Sequence, residues 1–300
     1  MAIIDDIKRS YLQGSMLLRL IFINIGVFVL LYVVAIGAKL FNAGTDVVQW
    51  VSLPSNLLLL VRRPWTLVTY MFAHLGFLHI LFNMLWFYWL GRIFMEFFSP
   101  KQLTGLYLLG GWGGAVLYLL AYNLLPYFAG SQSLLIGASA SVIAVVVATA
   151  VYAPDYKIGL LFLGEVSIKW VAIVTVAIDV MGLEGGNIGG NIAHIGGALV
   201  GAWYALRIKA GRDITRPLNA LIDSVVGMFN GRSLTSVKWS KKGKTATPQQ
   251  PSSPSHHRPQ DSVSEEELDT ILGKIKVSGY DALTDEEKDK LFKASRRREP

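Results

Sequence analysis

Apolar positions in this chain gather into long unbroken runs; they do not alternate. The first run extends from about Leu17 to Phe41, with Arg19 and Lys39 near its ends. Others follow at about 75–98, 102–125, 133–153 and 187–208. Between the last two, the stretch 158–183 is interrupted by Glu165 and Lys169, leaving a shorter run at about 169–183. A helix needs about 20 mostly apolar residues to cross the hydrocarbon core, so the pattern predicts six spans, the fifth the shortest. Residues 42–74 do not add a seventh. Arg62-Arg63-Pro64-Trp65 breaks that segment, and its aromatic and Leu content suits a loop lying at the membrane interface. The polar Met1–Gln13 stretch precedes the first run and no small-residue cleavage site follows it, so the run reads as an anchor and not a cleaved signal.

Composition sharpens this picture. Of 300 residues, 52% are hydrophobic and only 16% charged, against roughly 25% charged in soluble domains. The charge is uneven: residues 1–210 hold 12 Lys/Arg and 8 Asp/Glu, while residues 211–300 hold 16 and 13. The expected fold class is therefore an all-α integral membrane protein, a six-transmembrane-helix bundle over 1–210 with a polar tail. The net charge of +7 is too evenly spread to argue for nucleic acid. Zero cysteines exclude disulfides, thiolate nucleophiles and Cys-type zinc sites.

The tail changes character along its length. Over 213–229, Leu218, Leu221, Ile222, Val225 and Phe229 share a helical face, which predicts an amphipathic juxtamembrane segment (211–237) lying on the membrane or docked on the bundle. Residues 238–263, rich in Lys, Pro, Ser, Thr and Gln, read as a disordered linker. Residues 264–300 regain helical spacing at Leu268, Ile271, Leu272 and Ile275, and Thr284 with Glu287 forms a capping box for a second helix. A small helical pair is expected there.

Orientation follows from the basic residues. With the N-terminus cytoplasmic, Lys8, Arg9, Arg19, Arg92, Lys101, Lys157, Arg207 and Lys209 fall inside, only Lys39, Arg62 and Arg63 fall outside, and Lys169 is assigned to neither side. Positive residues favour the cytoplasmic side, so both termini are expected there, most simply in a bacterial plasma membrane.

Ionisable groups inside a membrane span are costly and mark functional sites. Three histidines, His74, His79 and His194, lie in the membrane part, together with Asn83 and the hydroxyls of Gly137-Ala138-Ser139-Ala140-Ser141. His79 and Asn83 stand at i and i+4 and share a helix face. His79, Ser139 and His194 lie near the starts of the second, fourth and sixth spans, hence at one membrane surface. Ser139 and His194 are each expected about six residues into their helices, about 9 Å deep. Ala140, Ala144 and Ala148 on the fourth span, and Ala193, Gly197 and Gly201 on the sixth, make small-residue faces that allow close helix approach. Ser141 is expected to bond its own i−4 carbonyl, and His74 to serve as an interfacial polar group.

These residues resemble the motifs of the rhomboid family of intramembrane serine proteases. His79-Ile-Leu-Phe-Asn83 is similar to the family's H-x-x-x-N, Gly137-Ala138-Ser139-Ala140 to its G-x-S-x, and Ala193-His194-Ile195-Gly196-Gly197 followed by Gly201 to its A-H-x-x-G-x-x-x-G. Pro64-Trp65 and Tyr70-Met71-Phe72 fit the loop leading into the second helix. The likeness covers roughly 15–210. It implies Ser139 as nucleophile and His194 as general base, a dyad without a carboxylate partner. It implies His79, Asn83 and the Ser139 backbone N–H as the oxyanion hole. Ala140 stands where a glycine is common, and Ile143 where an aromatic often packs the histidine ring. The implied activity is cleavage of transmembrane segments of membrane proteins near the outer surface, without cofactor or metal. The expected partners are transmembrane protein substrates and the lipid bilayer.

Three other readings compete. An inactive relative would bind membrane helices as an adaptor, although both Ser139 and His194 are present. A zinc site could draw on His74, His79 and His194, but no H-E-x-x-H carboxylate accompanies them. A transporter would show paired broken helices or an inverted repeat, and neither is visible.

Overall fold

The computed structural model describes residues 14–42, 46–160, 164–229, 270–271, 274 and 283–296. The chain separates into two compact units, Met1–Ser236 and Val237–Pro300. The sequence readings of 238–263 as a linker and of the first C-terminal helix fall almost wholly outside the described residues.

The first unit is mostly helical. Its long helices are α1 (Met16–Leu40), α5 (Phe77–Phe97), α6 (Pro100–Leu124) and α9 (Ile188–Lys209); α7 (Ser139–Tyr152) and α8 (Ile168–Met181) are shorter. Short helices α2 (Val47–Val51), α3 (Leu57–Arg62) and α4 (Thr66–Thr69) fill the segment between α1 and α5, and α10 (Arg216–Phe229) follows α9. Local sequence explains several boundaries. Ser15 caps α1 by accepting from Leu18 N–H. Ser99 and Gln102 form a capping box on α6 with Pro100 in its first turn, where the missing N–H costs nothing.

α1, α5 and α6 are long and apolar enough to cross a membrane. α7 and α8 have 14 residues each, about 21 Å at 1.5 Å per residue, short of a hydrocarbon core of about 30 Å. For α7 the shortness has a structural reason. Residues 140–150 are all buried, so the helix is enclosed by its neighbours and does not face lipid. The apolar stretch before it is not helix, as its hydropathy predicts, but a short strand, β2 (Leu134–Leu135), paired antiparallel with β1 (Leu53–Pro54). Non-helical backbone is tolerated at membrane depth where protein buries it. A second antiparallel pair, β3 (Lys157–Leu160) with β4 (Gly164–Ser167), occupies the start of the interrupted fifth run. The chain is thus not purely α.

Packing centres on α7. Gly197 and Gly201 of α9 lie so close to α7 that an added methyl group would overlap the carbonyls of Ala140 and Ala144, and Gly110 of α6 presses on Ala144. The small-residue faces of the two helices therefore meet. α1 buries Leu17, Leu20, Ile21 and Asn24 at one end, where Asn24 Nδ2 donates to Tyr107 Oη at 3.1 Å and Tyr107 Oη donates to the Met71 carbonyl at 2.8 Å. Its remaining surface (Val29, Val33, Leu40) is exposed and apolar, as are Leu78 and Leu85 of α5 and Leu199 and Leu206 of α9. Exposed apolar area on this scale marks contact with another apolar phase.

The 42–74 segment is more than an interfacial loop. Its outer side exposes Leu57, Leu58 and Val61, and Arg63 lies over Trp50 at 4.2 Å. Its inner side buries Leu53, Tyr70 and Met71. Ser55 N–H donates to the Ser133 carbonyl at 3.0 Å, Gly137 N–H to the Tyr70 carbonyl at 2.9 Å, and Tyr70 Oη to the Gly111 carbonyl. The segment thereby holds the chain leading into α7.

α10 docks on α6. Lys101 pairs with Asp223 at 2.6 Å, and Gln102 donates to Asp213 at 3.2 Å. Leu221 and Val225, read from the sequence as part of an apolar face, are exposed. In the second unit, α11 (Asp285–Arg296) starts at the expected capping box. Thr284 N–H donates to Glu287 Oε2 at 2.9 Å, and Glu287 N–H donates to Thr284 Oγ1 at 3.4 Å.

Candidate active site

Ser139 is the first residue of α7, not about six residues into it. Gly137 supplies the turn before it with φ +130°, a conformation that L side chains rarely adopt. The helix begins with Ala138 at the cap position and no side-chain cap; its first helical bond runs from Val142 N–H to the Ala138 carbonyl at 3.0 Å. The N–H groups at the start of a helix have no intrahelical partner, so those of Ser139 and its successors remain available as donors. Ser141 differs from expectation for the same reason. Its i−4 residue is Gly137, outside the helix, and its buried hydroxyl has no hydrogen-bond partner.

His194 lies six positions into α9 and faces Ser139 across the close helix contact. Its Nε2 is 2.6 Å from Ser139 Oγ. Its Nδ1 is 2.7 Å from Asp179 Oδ1, in the last turn of α8. The expected absence of a carboxylate partner is therefore corrected. Asp179 lies within the shortest apolar run, and an intramembrane carboxylate is the signal that marks functional sites; a survey of histidines and hydroxyls alone passes over it.

His79 and Asn83 share a face of α5, as their spacing requires. A Cβ on Gly137 would meet His79 Nε2 at 2.9 Å and Ser139 Oγ at 3.7 Å, so the imidazole sits beside the turn that leads into Ser139. Asn83 Nδ2 donates to the His79 carbonyl at 2.9 Å, which uses one of its two amide hydrogens. His74 is buried inside the protein, and its ring meets His79 edge-on at 5.0 Å. Burial pulls the His74 imidazole down to about 4, with His79 adding to the shift.

Two cavities of about 560 Å³ each open onto this cluster. One is apolar and lies between α5 and α8, lined by Phe82, Trp86, Trp170, Val174 and Ile178 among others. The second is polar, with His79, Tyr122, Ser133 and Asn187 in its wall. Asn83, Ser139 and His194 line both. Among the described residues no group of three or more potential metal ligands forms. Both His194 nitrogens are engaged, by Ser139 and Asp179.

A helical membrane-type bundle with a hydroxyl and an imidazole in contact at the foot of two cavities defines the class. Residues 61–210 match the Rhomboid domain, and the chain belongs to the rhomboid family. It is 33% identical over 162 residues to "RHOMBOID-like protein 12, mitochondrial" of Arabidopsis thaliana, covering 50% of this chain and 48% of that protein. It is 29% identical over 136 residues to "Presenilin-associated rhomboid-like protein A, mitochondrial" of Danio rerio, covering 44% and 34%. The chain spans about half or less of the length of these relatives. Both carry mitochondrial names, so the expected bacterial plasma membrane finds no support in them.

Proposed function

We propose that this protein is an intramembrane serine endopeptidase that cleaves transmembrane segments of other membrane proteins. The observation that carries this reading is the 2.6 Å contact between Ser139 Oγ and His194 Nε2 where an apolar and a polar cavity meet. A membrane helix can approach through the apolar cavity between α5 and α8, while water reaches the hydroxyl from the polar one. In this reading six helices, α1 and α5 to α9, form the membrane body, with the site near the surface opposite the N-terminus. Residues 1–210 carry the chemistry and the tail lies outside it.

The chemistry follows from the groups present. As Ser139 Oγ attacks the scissile carbonyl carbon, its proton passes to His194 Nε2. The carbonyl oxygen becomes an oxyanion, which preorganised donors stabilise. The Ser139 N–H at the helix start, His79 and the second Asn83 amide hydrogen fill that role, and the helix dipole has its positive end at the same place. Collapse of the intermediate breaks the C–N bond, and His194 returns the proton to the departing amine. Water from the polar cavity then hydrolyses the acyl-enzyme by the same two proton transfers.

The test is cleavage of a transmembrane reporter by the purified full chain. Ser139→Ala and His194→Ala are each expected to abolish cleavage, and the double variant to be no worse, because nucleophile and base act as a unit. Ser141→Ala should remain active. Cleavage by Ser139→Ala at more than a few per cent of the parent rate would refute the assignment.

A further inference from the structure

We propose that Asp179 is the positioning residue that sets the tautomer and ring orientation of His194. The proposal rests on the reading of Ser139 as nucleophile and adds to it a third side chain from a third helix. The geometry is that of a chain of two hydrogen bonds: Asp179 Oδ1 to His194 Nδ1 at 2.7 Å, then His194 Nε2 to Ser139 Oγ at 2.6 Å.

A neutral imidazole carries its hydrogen on one nitrogen only, and which one is set by the partner of the other. A carboxylate offers only acceptors. Beside Asp179 the hydrogen must therefore sit on Nδ1, which leaves the Nε2 lone pair facing Ser139. The opposite tautomer would place two lone pairs against each other at Nδ1 and present Ser139 with a donor where it needs an acceptor. When the Ser139 proton arrives on Nε2, the imidazolium charge forms 2.7 Å from Asp179 Oδ1. No proton needs to reach the carboxylate.

Stability offers no competing explanation. Asp179 is buried, its second oxygen has no hydrogen-bond partner, and it borders the apolar cavity. Burying a carboxylate with a single partner is costly, and replacing such pairs with neutral groups is often neutral or stabilising. If Asp179 only tethered α8 to α9, an amide of the same shape would serve as well. The other ionisable groups around the imidazole do not duplicate it. His79 of α5 offers no negative charge, and His74 lies behind His79.

The experiment uses the full-length protein in detergent with 15N-labelled histidine, the His194 signal being identified by its loss in His194→Gln. Wild-type His194 is expected to show the Nδ1–H form alone. In Asp179→Ala that preference should disappear. Asp179→Asn should retain the parent melting temperature and reporter KM, but lose kcat by up to roughly 10⁴-fold, the loss that follows when a serine-protease triad has its carboxylate replaced by an amide. Asp179→Glu should restore part of kcat. An Nε2–H form in the wild type would overturn the proposal without any variant, and so would an Asp179→Asn kcat within threefold of the parent. Failure of the underlying reading looks different: cleavage would then survive Ser139→Ala, whatever Asp179 does.

Discussion

At the scale of single residues, Asn83 is the most informative position after Ser139, the proposed nucleophile. One of its amide hydrogens is already committed to the His79 carbonyl at 2.9 Å, so only the other is free to meet an oxyanion. Asn83→Ala is expected to lower kcat by up to roughly 10²–10³-fold while leaving a measurable rate, because in the proposed oxyanion hole the Ser139 N–H and His79 would still donate. An unchanged kcat in a folded variant would reduce Asn83 to a side chain that bonds the backbone of its own helix. His74 gives a pH prediction. Its imidazole titrates near 4 in the fold and near 6.5 when unfolded. Between those values the unfolded chain binds the additional proton, so stability is complete above about pH 6.5 and falls as the pH drops toward 4. Melting temperatures at pH 7 and pH 5 should differ more in the parent than in His74→Phe. Ser139, His194, His79 and Asn83 stand out in the sequence as polar residues near the starts of alternate apolar runs, and the structure brings them together around one cavity. Asp179 was not found, although a carboxylate inside an apolar run was there to be read.

At the scale of elements, apolar run length located every long helix of the bundle, because burial in lipid or in protein asks the same of a side chain. It failed where those two environments diverge. The run 133–153 reads as one span, yet Gly137 turns the backbone and residues 134–135 pair with 53–54; hydropathy cannot tell an apolar strand from a helix. The β3–β4 hairpin escaped for a second reason, since strands of four residues carry too little periodicity. The α7–α9 contact is where element packing is most demanding. Gly201→Val would push a branched side chain into the Ala144 carbonyl, and overpacking of this kind costs about 1–3 kcal/mol. Unfolding in mixed micelles should report that loss, whereas Gly26→Val, where a Cβ meets nothing within 4 Å, should leave stability almost unchanged.

For the whole molecule, the eight-to-three division of basic residues predicts which surface carries the site. The natively cysteine-free chain allows a direct measurement. Single cysteines at Gly130 and Glu184 should react with impermeant thiol reagents from the side opposite the N-terminus, and one at Pro154 should react from the N-terminal side. The reverse pattern would place the site on the other surface. Only the body of the chain bears on this: residues 61–210 hold the family match, and the sequence beyond 236 forms its own compact unit.

Because Asn83, Ser139 and His194 border both cavities, the proposed nucleophile stands where an apolar space meets a polar one. The two halves of the proposed reaction then draw on different reservoirs. Formation of the acyl-enzyme depends on how readily a peptide leaves the lipid, and so on bilayer thickness and tension. Its discharge depends on what is dissolved in the aqueous phase, including any competing amine that reaches the polar cavity. Such an enzyme has two separate controls on its turnover, one set by the membrane around it and one by the solution above it. Neither requires a change in the three side chains between them.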